Sequence, residues 1–173
     1  MRLMQSQSSF RKKTAYMGLF LALSLICSYV EVLIPINFGI PGVKLGLTNI
    51  VIVLTMYCIG EKEALGISVL RILLSGLLFG NLFSVLFSLA GGILSFFVMV
   101  VGKRFLKLKC IAVSTSGGIA HNVGQLLVAA FVVDNFSIFY YIPVLIVSGV
   151  LTGLLIGVIA QELVLRIGKL IKF

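Results

Sequence analysis

Arg71 and His121 stand where a lipid-facing helix would not put them. Arg71 lies inside LGISVLRILLSGLL (65–78) and His121 inside GGIAHNVGQLLVA (117–129). Gln125 follows His121 by one helical turn, with Asn122 alongside. A third cluster, IPGVKLGLTN (40–49), carries Lys44, Thr48 and Asn49 behind a Pro-Gly pair that can turn the chain back. Guanidinium, ammonium, imidazole and amides are donors, and together they suit a ligand with an anionic or strongly accepting part. Glu31, in a separate apolar run, is the one acid spaced to join them.

Other chemistries find no support. One histidine cannot complete a metal site, and Cys27, Cys58 and Cys110 are widely spaced with no CxxC pair. No Ser-His-acid set is suggested around His121, and no G-x-x-x-x-G-K-[ST] loop is present to hold a nucleotide. The chain therefore reads as non-catalytic, with no metal and no cofactor.

The elements that must carry these residues follow from composition. The chain has 173 residues, 60% of them hydrophobic, and a mean hydropathy of +1.21. Apolar segments fall at about 14–34, 45–60, 64–80, 82–102, 110–133 and 142–165. A helix crossing a hydrocarbon layer about 30 Å thick needs about 20 residues, so the second and third are short. Six crossings place both termini on one side. The cations of the first 13 residues, of 103–109 and of 166–172, with Lys62, all fall on that side; Lys44 alone lies in an opposite loop. By the positive-inside rule the termini are cytoplasmic. The net charge of +9 is thus a topology signal rather than a nucleic-acid footprint. The fold class is all-α: a polytopic membrane protein with a basic tail, 1–13, and one six-helix membrane domain, 14–173.

Polar residues inside the segments recur at steps of three and four, which put each set on one helix face. Ser24, Ser28 and Glu31 form one stripe, Ser68, Arg71 and Ser75 a second, and Ser84, Ser88, Gly91 and Ser95 a third. Ser114, Gly118, His121 and Gln125 form a fourth, while Gly149, Gly153 and Gly157 mark close packing of the last helix. Arg71 sits eight residues past Glu63, about 12 Å along a helix. Insertion there costs about 2.5–3.5 kcal/mol, so it faces a cavity, a carboxylate or backbone carbonyls. His121, Asn122 and Gln125 suit substrate contact or polar packing. Thr48 and Asn49 open a helix whose free amides favour anions.

PGVKLGLTNIVIVL, EALGISVLRILLSGLLFG (63–80), FSLAGGILSF (87–96) and GGIAHNVGQLLVA together resemble a bacterial membrane family. It is labelled heptaprenyl diphosphate synthase component I, or alternatively Gx transporter. Through size and architecture the family is similar to the substrate-binding S components of energy-coupling factor transporters, six-helix proteins with cytoplasmic termini. That resemblance implies a small vitamin-like substrate and docking to an energy-coupling module of a transmembrane protein and ATPases. S components dock through an Ala-x-x-x-Ala pattern on the first helix; here Gly18 and Ala22 hold that spacing, with Ala15 nearby. The synthase label implies instead an accessory subunit. Known prenyl elongation holds magnesium on Asp-rich motifs, and this chain has a single aspartate, Asp134. The expected function is a membrane substrate-binding subunit of a transporter. The rivals are that accessory subunit and a non-transporting scaffold of a redox or assembly complex.

Overall fold

A computed structural model describes residues 2–33, 46–134 and 136–171. Six α-helices run in order: α1 Arg2–Leu33, α2 Leu47–Cys58, α3 Glu61–Phe79, α4 Leu82–Arg104, α5 Cys110–Val133 and α6 Ile142–Ile167. A 3-10 turn, Phe136–Tyr141, leads into α6. No strand occurs among the described residues. The basic tail expected at 1–13 does not end before α1: from Arg2 onward it is the first part of that helix.

Local sequence explains the breaks. Asn81, after Gly80, caps α4 by accepting a hydrogen bond from the Ser84 amide at 2.8 Å. Asp134 ends α5 in the left-handed conformation, φ 48°, and α6 begins with Pro143 in its first turn, where a missing amide costs nothing. Glu61 and Glu63 open α3, and Lys103 and Arg104 close α4, each matching the helix dipole.

Four helical stretches are long and apolar enough to cross a membrane: residues 10–33, 82–104, 110–133 and 137–167. Their outward faces are covered in large apolar side chains such as Leu19, Phe97, Phe131 and Leu155, as lipid contact requires. This is an all-α membrane bundle. The other two helices differ from the even six-span expectation. α2 has only 12 residues, and α3 carries Arg71 in its middle.

α2 is the axis of the bundle. Val51 to Met56 are all buried, Val53 completely, because α1, α3 and α6 all pack against it. Its apolar run is therefore continuous rather than one-sided. α5 and α6 approach backbone to backbone. A β-carbon at Gly153 would lie 2.7 Å from Thr115 Cα, and one at Gly157 2.8 Å from Ile111 Cα. The Gly149, Gly153 and Gly157 stripe is thus the packing face its spacing indicated.

One end of the bundle is tied by charge. Lys13 on α1 pairs with Glu63 on α3. Glu61 takes Arg104 at 2.6 Å and Lys103 at 3.4 Å, both from α4. Lys103 also donates to the Met56 carbonyl at 2.8 Å and stands 4.8 Å from the Tyr57 ring centre, so it closes the last turn of α2. Arg166 pairs with Glu162 on the surface of α6.

Candidate functional site

At the opposite half of the bundle a cavity of about 160 Å³ opens above α2. Its wall comes from α1 (Ser28, Glu31), α2 (Thr48, Asn49), α3 (Arg71, Ser75), α4 (Ser84, Ser88) and α5 (His121, Gln125). The stripes traced along the separate segments therefore turn toward one space. Ala90 and Gly91 backbone atoms come within 3.1 Å of where a Gly124 β-carbon would sit, which seats the α5 wall firmly on α4.

Arg71 is 9% exposed, and its Nε has no hydrogen-bond partner among the described residues. No carboxylate among the described residues forms an ion pair with it, although Glu31 is close enough to act on its charge. Glu61, Glu63 and Glu162 hold the cations of the charged end. Glu31 faces the same cavity but spends its oxygens on α2: Oε1 accepts from the Leu47 amide at 2.6 Å and Oε2 from the Thr48 hydroxyl at 3.3 Å. Ser28 and Thr48 share a further hydrogen bond of 3.2 Å. Gln125, 6% exposed, likewise makes no side-chain hydrogen bond among the described residues. Among the described residues neither the guanidinium nor the amide is paired by a hydrogen bond, and the buried Arg71 Nε leaves its desolvation uncompensated unless water or a ligand meets it.

The structure places two of the expected site features differently. The α2 N-terminus does not stand open to a ligand anion, because the Glu31 carboxylate already occupies its first amide. Glu31 is therefore a cap as well as a wall residue. Asn122 does not reach the large cavity; it donates to the Leu145 carbonyl of α6 at 2.8 Å and lines a smaller void. Lys44, with the Pro-Gly turn, lies outside the described residues.

Gly46, just before α2, was not singled out by its sequence context. It adopts φ 74°, and a β-carbon there would come within 2.9 Å of Ile156 Cδ1. It borders both the cavity and the smaller void. On α1, Ala15, Gly18 and Ala22 are all exposed, and a β-carbon at Gly18 would meet nothing within 4 Å.

A sequence model described as heptaprenyl diphosphate synthase component I matches residues 20–163. The chain belongs to that family. As a heptaprenyl diphosphate synthase component I family member, it contains the whole cavity wall within the matched span, from Ser28 to Gln125. No curated protein and no solved structure matches the chain. The further likeness of this component I family to energy-coupling S components therefore enters only as a reading of function.

Proposed function

We propose that the chain is the membrane-embedded, non-catalytic binding subunit of a multi-component assembly. It holds a small organic molecule with an anionic or strongly accepting part in the Arg71 cavity, while a partner supplies chemistry or energy. The observation that supports this best is Arg71 itself: a buried cation without an ion pair among the described residues, on the wall of a polar chamber.

Two assemblies would use such a subunit. The family description favours a partner that makes prenyl diphosphates, with this chain as the accessory membrane component; its single aspartate leaves the Asp-rich magnesium chemistry to that partner. The position of the cavity favours the second, solute uptake. It lies in the half of the bundle away from the charged end, which the positive-inside rule turns to the cytoplasm, so the chamber faces outward in the bacterial plasma membrane. The exposed Ala15, Gly18 and Ala22 face on α1 is then where an energy-coupling module would dock.

One preparation tests both. Purification in mild detergent, with mass spectrometry of the small molecules and proteins carried through, should yield a bound anionic compound that Arg71→Leu loses. An Asp-rich synthase in the complex supports the first assembly and an ATPase pair the second. An empty wild-type chamber under conditions that keep the protein folded would overturn the binding role.

A further inference from the structure

Below the Arg71 cavity lies a second void of about 20 Å³. The two share Gly46, Asn49 and His121 as wall residues, so they adjoin at that level. Helix direction shows where the smaller one leads. α4 passes from Ser88 beside the large cavity to Ser95 and Met99 beside the small one, approaching Arg104. α5 runs the other way, from Gln125 by the large cavity back to Ser114, one turn from Cys110. The small void therefore points toward the charged end.

Its chemistry is polar. Ser95 and Ser114 are 5% and 4% exposed, and neither hydroxyl makes a hydrogen bond among the described residues. Two buried hydroxyls aimed into a space of this size call for water, since a void above about 10–15 Å³ with two or more polar partners holds one molecule. The inner end is closed by Met99, which is backed by Met56, Cys110 and Val113 of the apolar core; its Cγ would lie 2.6 Å from a β-carbon at Gly117, so the side chain fills the notch that glycine leaves. Methionine is unbranched and flexible, so it can vacate such a notch without backbone movement.

We propose that the two voids are one hydrated passage, running from the Arg71 chamber past Asn49 and His121 to Ser95 and Ser114, narrowed by Met99 and ending on the apolar core. Water and cations of similar size enter it from the chamber, between α2, α4, α5 and α6, and more freely when that side chain swings away. This extends the binding role above and uses the same chamber.

Silver ion, close to water in size and reactive toward thiols, is the probe. Single cysteines are placed at Ser88, Ser114 and Thr152 in a chain whose Cys27, Cys58 and Cys110 are replaced by alanine. Closed vesicles are treated from one side, and the thiols left are counted with maleimide after denaturation. Ser88→Cys and Ser114→Cys should both be blocked from the same side, and adding Met99→Ala should raise the Ser114→Cys rate about tenfold or more. Thr152→Cys, on the same void, serves if Ser114→Cys fails to fold. Blocking of Ser88→Cys alone, with or without Met99→Ala, overturns the passage and leaves the chamber standing. Protection of all three positions overturns both.

Discussion

The carboxylate of Glu31, near the end of α1, accepts the Leu47 backbone N–H at the start of α2, 2.6 Å away. One side chain thus joins the first helix to the central one and forms part of the chamber wall. Removing its charge while keeping its shape separates these roles. Glu31→Gln turns a charge-assisted bond into a neutral one and should cost about 1–2 kcal/mol. The measurement is the melting temperature in detergent, with ligand retention followed alongside. An unchanged melting temperature would mean that the cap contributes little.

Arg71→Lys keeps a positive charge but loses the planar fork of donors. A hydrogen bond to a charged group contributes about 1.5–3 kcal/mol, so affinity for the co-purifying ligand should fall about 10- to 100-fold. Arg71→Leu should abolish binding and leave accumulation in the membrane intact. If Arg71→Leu fails to accumulate while Arg71→Lys binds normally, the arginine holds the bundle together rather than the ligand.

Gly153 permits α5 and α6 to touch along their backbones. An alanine there places its β-carbon 2.7 Å from Thr115 Cα, and overpacking of this kind costs about 1–3 kcal/mol. Gly153→Ala should lower the melting temperature measurably, and Gly153→Leu should prevent accumulation. Gly18→Ala, where a β-carbon meets nothing within 4 Å, should leave the isolated subunit unchanged and serves as the control.

Lys13 donates to Glu63, and this bond, working against burial, holds the Glu63 carboxyl below its ordinary value of 4.5. A carboxyl lowered in the folded protein contributes stability in full above its unfolded value. That contribution is lost as the pH falls through the lower, folded value. Lys13→Gln should therefore flatten the acid limb of a melting-temperature profile below about pH 4.5. Both side chains are partly exposed, so high salt should shrink the difference.

Most helix positions were legible because apolar runs are interrupted by charges and turn residues, as at Gly80-Asn81 and Lys103–Lys109. The stripes were legible too: steps of three and four put Ser84 and Ser88, or His121 and Gln125, on one face whatever packs there. Which face meets which neighbour is a tertiary fact, and it decided the rest. Asn122 is adjacent to His121 in sequence, yet the 100° turn between consecutive helical residues aims it at Leu145 on α6. The Glu31 cap was not legible because nothing in sequence ties residue 31 to the amide of residue 47. The helical start at Arg2 was hidden by the polar composition of MRLMQSQSSFRKK, which marks exposure and says little about backbone conformation.

At about 1.5 Å per residue, the 12 residues of α2 reach only about 18 Å. A hydrocarbon slab of about 30 Å is therefore left with about 12 Å that the central rod does not fill. The hollow beside Arg71 borders the first turn of that rod, so its Glu31-capped start meets polar side chains rather than lipid.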